Sequence, residues 1–307
     1  MEHFFSVDQL SIEAIYSLCE QAKQCKKQEM RISEQIFAGN VFTEPSTRTK
    51  LSFTFAQRKL GLDVLEVDGI QSSIVKGESL EDTVITLEAI GANLLIIRDG
   101  SNEWMEELQD KVSIPMINAG AGTAEHPTQC MLDVFTLYEE FGSFEGLHVV
   151  IAGDVKHSRV AHSNIRTLQR LGANVYTSCA ESFVDETLNV PNISMDEAVK
   201  VADCLMLLRI QHERHQGEDA ETNDYLQEFG LTIDREQQMK QHSIIMHPGP
   251  VNRGVEIDGS LMYGNRSRLK QQIQNGVYMR MSIMLYMLKK WGIIHESIIN
   301  ERTVCEQ

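Results

Sequence analysis

Phe42-Thr43-Glu44-Pro45-Ser46-Thr47-Arg48-Thr49-Lys50, running on into Leu51-Ser52-Phe53-Thr54-Phe55, is the stretch on which the reading of this chain turns. Pro45 breaks whatever precedes it, and the residues after it can wind as a helix. The first backbone N–H groups of such a helix have no partner inside it. Here they stand beside the hydroxyls of Ser46, Thr47 and Thr49 and the guanidinium of Arg48. Helix dipole, N–H groups, hydroxyls and Arg48 together make a compact cradle for a phosphate. The competing reading of the same residues is a Ser/Thr-capped surface helix with an incidental arginine.

Working outward, Ile36 to Phe42 reads as a buried strand that delivers this loop, and the opening segment, capped by Ser6-Val7-Asp8-Gln9, as an amphipathic helix carrying Leu10, Ile15, Leu18, Cys19 and Ala22. Val64 to Val67 is strand-like. Glu78 to Ile90 is helical, with Leu80, Val84, Leu87 and Ile90 on one face. Asn93 to Ile97 is a nearly continuous apolar strand ending at Arg98, and Ile114 to Ile117 a shorter one. Pro127 to Phe141 reads as a helix joining two halves. A second series of strands follows, at Leu147 to Asp154, Ala173 to Thr177, Cys204 to Leu208 and Ile244 to Met246, with helices between, then a final helix over about Gln271 to Lys290 carrying Ile273, Val277, Met281, Met284, Leu285 and Leu288. Alternation without hairpin signals predicts an α/β protein of two doubly wound domains, each a mainly parallel sheet covered by helices. In such sheets ligands lie beyond the carboxyl ends of the strands, where Thr43 to Thr49, Arg98 and Asn118 to Gln129 fall. The segment from Leu147 to Asp154 lacks the glycine spacing of a dinucleotide site, so no nucleotide cofactor is expected.

Length and composition set the limits. A chain of 307 residues suits two domains, and 42% hydrophobic with 23% charged residues is ordinary for a globular protein. The formal charge of −16 argues against a general affinity for nucleic acid or anionic membrane. Six scattered cysteines with no Cys-x-x-Cys pair fit a reduced, cytoplasmic setting. No secretory signal is visible, and no apolar run approaches the ~20 residues of a membrane span. His212-Glu213-Arg214-His215 and the pair His157 and His162 lack a zinc-site spacing, so no metal is expected. Glu213 to Asp224 is the most polar stretch and reads as a solvated loop.

Ser46-Thr47-Arg48-Thr49 resembles the phosphate-binding signature of the transcarbamoylases. The similarity continues in that family's order through Lys76-Gly77-Glu78, Arg98, His126-Pro127-Thr128-Gln129, Arg159, Arg209-Ile210-Gln211 and His247-Pro248-Gly249-Pro250. Each motif is moderately specific, and the ordered set, covering nearly the whole chain, is hard to obtain by accident. The resemblance is to the aspartate/ornithine transcarbamoylase family. It implies a carbamoyl phosphate-binding domain over 1–130, joined by a C-terminal helix at about 286–307 that crosses back to it, and an L-aspartate-binding domain over 131–285.

For the residues, the resemblance implies that Ser46, Thr47, Arg48, Thr49, Arg98, His126, Gln129, Gly249 and Pro250 bind carbamoyl phosphate, and that Arg48, Thr49, Arg98, His126 and Lys76 carry catalysis. Arg98 taken alone reads as an ion pair with Asp99 or Glu103. His126 precedes Pro127 at a helix start, where the dipole lowers imidazole basicity; the family's role for it is a hydrogen bond to the carbamoyl oxygen, with Gln129 accepting from the carbamoyl amide. Lys76, Arg159, Arg209 and Gln211 are implied to hold L-aspartate, whose two carboxylates require paired cations. The ornithine branch instead uses an acidic Asp with Ser-Met-Gly and a Cys in His-Cys-Leu-Pro; this chain has neither, so L-aspartate is the better amine. Gly249 departs from the Leu often found at that position. The implied product is N-carbamoyl-L-aspartate, a step toward pyrimidines. The implied assembly is a homotrimer in which Lys76 and Ser72 or Ser73 reach a neighbour's site. The sequence carries no signal for or against a regulatory chain. A transcarbamoylase for another amine and a non-catalytic phosphate-binding scaffold are the alternatives.

Overall fold

The computed structural model describes residues 2–68, 77–122, 125–210 and 222–303. The chain forms two compact units, one of 1–135 with 274–307 and one of 136–273.

The first unit begins with a 3-10 turn at Val7–Gln9, closed by the capping box of Ser6 and Gln9, and then α1 (Ile12–Lys27), which has its own cap in Ser11. The single opening helix expected from the sequence is thus two elements, each with its own serine cap. Next come β1 (Gln28–Ile32), β2 (Phe37–Phe42), α2 (Thr47–Leu60), β3 (Asp63–Asp68), α3 (Leu80–Ala89), β4 (Leu94–Asp99), α4 (Trp104–Leu108), β5 (Met116–Ala121) and α5 (Pro127–Phe141). Strands β3, β2, β4 and β5 lie side by side in that order, all parallel. Leu94 to Ile97 are wholly buried, as expected for a strand covered on both faces. Val41, Leu95 and Ile97 pack with Val84 and Leu87 of α3 and Trp104 and Leu108 of α4. Asn40, which points the other way along β2, exchanges hydrogen bonds with Gln57 of α2. Helices therefore cover opposite faces, so the sheet is doubly wound.

The second unit contains β6 (His148–Ala152), α6 (Arg159–Arg170), β7 (Asn174–Ser178), α7 (Met195–Val201), β8 (Cys204–Leu207), α8 (Thr222–Glu228), α9 (Ile233–Glu236) and β9 (Ile244–Met246). Its sheet runs β7, β6, β8, β9, again all parallel. Val150, Leu205, Leu207 and Ile245 pack against Met195, Ala198 and Val199 of α7. Thr222 to Asp224, the end of the stretch read as a solvated loop, open α8.

The chain leaves the first unit within α5 and returns within α10 (Leu269–Lys290). The expected divisions at 130/131 and 285/286 fall inside the same two helices. After α10, β10 (Ile299–Thr303) pairs antiparallel with β1, Gln28 opposite Thr303 and Ile32 opposite Ile299. No local signal marks this ribbon, because its partners come from opposite ends of the chain. Two apolar assignments also differ. Ile90, the C-cap of α3, is 70% exposed, and Ile273 is 64% exposed on α10. No helix among the described residues is long and apolar enough to cross a membrane.

Candidate functional site

In a doubly wound sheet the crevice lies where the connections leave in opposite directions, here between β2 and β4 and between β6 and β8. The first crevice receives the loop after β2. Thr43 fixes it: its N–H donates to the Arg98 carbonyl at 3.0 Å and its hydroxyl to Asp99 Oδ2 at 2.5 Å. Ser46 is the N-cap of α2, with φ −156°, and its side chain makes no capping hydrogen bond. The first amides of α2 are thus not consumed by their own cap. Thr47 and Arg48 are exposed and Thr49 is buried, its Oγ1 3.5 Å from His126 Nε2.

Arg98, at the end of β4, donates through Nη2 to Glu44 Oε1 at 2.5 Å and through Nη1 to the Ala119 carbonyl at 3.3 Å. Its partner is therefore Glu44, not Asp99, which Thr43 occupies, or Glu103. Burial pushes the Arg98 guanidinium down from its ordinary value, and the charge of Glu44 and its hydrogen bond to Arg98 work against that. His126 is buried just before α5, and Gln129 follows one turn on. The Gln129 amide donates to Oδ1 of the wholly buried Asp133 at 3.0 Å.

Beneath α2 lies a residue that the sequence reading passed over. Arg280 on α10 is 2% exposed, donates through Nη1 to Ser52 Oγ at 3.0 Å and to the Gly276 carbonyl at 3.1 Å, and stacks 4.9 Å over the Phe53 ring. Burial pushes it down to about 9, the charge of Asp133 works to raise it and that of Arg98 to lower it, and it remains a cation at neutral pH. The available signal was an arginine amid the apolar positions Val277, Met281 and Met284.

In the second unit, Asp154 closes β6 with no exposure, and its Oδ1 meets His157 Nδ1 at 2.8 Å. Arg159 opens α6, and Arg209 follows β8; both are half-buried. His247-Pro248-Gly249-Pro250 follows β9. His247 is buried, accepts the Gly249 N–H at Nδ1 (2.8 Å), and so carries its proton on Nε2, facing Glu256 Oε1 at 3.1 Å. Glu256, 2% exposed, also accepts the Asn252 N–H at 2.6 Å, and Asn252 Nδ2 donates to the Ile210 carbonyl at 3.1 Å. The loop is thereby fastened to the segment carrying Arg209. Gly249 has φ +70°, a conformation in which a leucine would be strained, so the departure from Leu fits this loop's shape. Pro250 is exposed beside it.

The structure thus gathers Ser46, Thr47, Arg48, Thr49, Arg98, His126 and Gln129 in one unit, and Arg159, Arg209, Gly249 and Pro250 in the other. Lys76, Ser72, Ser73, Gln211 and His212 to His215 lie outside the described residues. Glu44, Asp133, Glu256 and Arg280 were not anticipated; single charged residues carry no local pattern. Among the described residues no three His, Cys, Asp or Glu side chains gather as metal ligands, and the five described cysteines are free and buried.

Known proteins share both units. Residues 2–139 match the family model of the aspartate/ornithine carbamoyltransferase carbamoyl-P binding domain, and residues 145–287 that of the aspartate/ornithine carbamoyltransferase Asp/Orn binding domain. The aspartate carbamoyltransferase catalytic subunit of Oceanobacillus iheyensis is 53% identical over 98% of this chain and 98% of its own length. The solved catalytic subunit of M. jannaschii aspartate transcarbamoylase superposes with a TM-score of 0.83 at 28% identity, covering 94% of this chain and 99% of that one. Aspartate transcarbamoylase of Trypanosoma cruzi, solved with N-(phosphonacetyl)-L-aspartic acid, gives 0.82 at 28% identity over 92% and 94% of the two chains. The chain therefore belongs, in both of its units, to the aspartate/ornithine carbamoyltransferase family.

Proposed function

We propose that this chain transfers the carbamoyl group of carbamoyl phosphate to the amine of L-aspartate, giving N-carbamoyl-L-aspartate and phosphate in the route to pyrimidines. The carrying observation is the convergence, at one crevice, of the open N-terminus of α2, Arg98 from the adjacent strand and His126 within 3.5 Å of Thr49. The phosphate binds first, on the α2 amides and the side chains of Ser46, Thr47, Arg48 and Thr49, and competes with Glu44 for Arg98. The neutral aspartate amine attacks the carbonyl carbon. A C–N bond forms, the C–O bond to phosphate breaks, and the departing phosphate takes the amine proton. Thr49, Arg98 and His126 donate to the oxyanion that develops, and Gln129 receives the carbamoyl amide. Gly249 and Pro250 complete the carbamoyl contact through their backbone. Arg159, Arg209 and Gln211 hold the aspartate carboxylates. These groups supply binding, orientation and charge, so the reaction as written needs no cofactor.

The active form in this reading is a cytoplasmic homotrimer with sites completed across subunit interfaces by Lys76. It predicts that Arg48→Ala and Lys76→Ala trimers, each nearly inactive, regain activity when dissociated and reassociated together; hybrid trimers with no activity would remove Lys76 from the neighbouring site.

The functional test is a colorimetric assay of carbamoyl-amine formation from carbamoyl phosphate and a panel of amines. Product with L-aspartate is expected. Product only with ornithine or another amine would reassign the substrate, and phosphate binding without product would make the chain a scaffold.

A further inference from the structure

Gln129 has two chemically opposite ends. Its amide NH2 is a pair of donors and its Oε1 an acceptor, and only one orientation can receive the N–H of a carbamoyl group. The surroundings decide which orientation is taken. They do so here. Gln129 Nε2 lies 3.0 Å from Oδ1 of Asp133, one turn further along α5, and Asp133 is wholly buried. An ionised carboxylate only accepts, so the NH2 must turn to Asp133 and Oε1 must turn away from it.

The same unit holds a buried cation in Arg280, whose charged form the Asp133 carboxylate favours. Arg280 has no freedom to leave. Its Nη1 is held by Ser52 and the Gly276 carbonyl, its plane lies over Phe53, and a Cβ at position 276 would sit 2.6 Å from Nη1. Replacing buried charges of opposite sign together with apolar side chains of similar volume is often neutral for stability.

We propose that the buried Asp133 is a positioning residue that fixes the flip of the Gln129 amide and thereby sets selectivity for a carbamoyl over an acyl group on the phosphate. This rests on the carbamoyl-transfer reading above. The methyl group of acetyl phosphate offers no N–H, so it cannot use the oriented Oε1.

The experiment compares the unmodified enzyme, Asp133→Asn, and the double variant Asp133→Leu/Arg280→Met, which removes both buried charges together. Two quantities are read: kcat/KM for carbamoyl phosphate at saturating aspartate, and the inhibition constant of acetyl phosphate. Thermal unfolding reports folding. In Asp133→Asn the new side chain can present either its oxygen or its NH2 to Gln129, so the orientation is no longer fixed. The expected result is a fall of about tenfold or more in kcat/KM for carbamoyl phosphate, with acetyl phosphate inhibition changed less than about threefold. The double variant is expected to show the same loss of discrimination with an unfolding temperature close to that of the unmodified enzyme. Parallel weakening of both ligands in the folded double variant, or no change in either, would overturn the proposal. Turnover by the unmodified enzyme is measured first, so failure of the functional reading shows itself separately.

Discussion

Two helices occupy the same place in the two units. α2 follows β2 and α6 follows β6, each leaving the strand at which its sheet changes direction, and each is preceded by a serine N-cap. The serines behave differently. Ser158 caps α6 by accepting the Ala161 N–H at 3.2 Å, whereas Ser46 makes no capping bond to α2. One helix N-terminus is closed by its own serine and the other is not. Under the function proposed above, the same topology would then meet two kinds of negative charge in two ways: a compact phosphate at the backbone amides and short hydroxyls of α2, and a pair of spaced carboxylates at the long side chains of Arg159 and Arg209.

A second contrast lies at the opposite ends of the strands. Before β4, Asn93 Oδ1 accepts the Phe37 N–H that opens β2, at 2.8 Å. Before β8, Asp203 Oδ2 accepts the His148 N–H that opens β6, at 2.9 Å. The latch is the same, but in the second unit it is charged. Lys240 and His242 also meet Asp203 Oδ1, each at 2.8 Å. Burial pushes the Asp203 carboxyl up; the hydrogen bonds from Lys240, the His148 N–H and His242 outweigh that and bring it down to about 2.

The contrast can be broken at four points. The largest effect is expected from Arg48→Ala, which removes the charged clamp at the open helix and should lower kcat/KM for carbamoyl phosphate by about 100-fold or more. Near-normal kinetics would sink the phosphate cradle. Arg209→Ala should raise the KM for aspartate about tenfold or more while leaving carbamoyl phosphate binding largely intact, as separate saturation curves would show. An equal loss for both substrates would mean that the two units do not divide the charges as argued.

The two serines make a smaller, sharper test. Ser158→Ala should cost about 1 kcal/mol of stability through the lost cap, measured by urea unfolding. Ser46→Ala should cost less stability and instead weaken phosphate binding. If both destabilised alike, α2 would be capped as α6 is. The last effect concerns acid. Because the folded pKa of Asp203 is depressed, its stabilising contribution is full above about pH 4 and is lost as pH falls toward about 2. Asp203→Asn, which copies the latch of the first unit, should flatten the acid limb of a stability-versus-pH curve between those values. An unchanged limb would show that the charge of this latch is immaterial.

What the sequence determined by itself is what neighbours in the chain control. Pro45 and the hydroxyl run mark the start of α2, and apolar runs such as Leu94 to Ile97 declare strands buried on both faces. The ordered motifs placed Arg98 at the end of a strand and His126, Arg159 and Arg209 in connections that follow strands, as the parallel sheets then required. The tertiary structure decided which charges meet. Nothing near Arg98 in sequence selects Glu44 over Asp99, nothing in α10 tells Arg280 that it will be buried with Ser52 and Phe53, and nothing in Gln28 to Ile32 names Ile299 to Thr303 as its partner. Helical and strand periodicity are encoded within a few residues, whereas the pairing of buried charges depends on which surfaces the fold brings together, and that is settled only when distant segments exclude water from the same space.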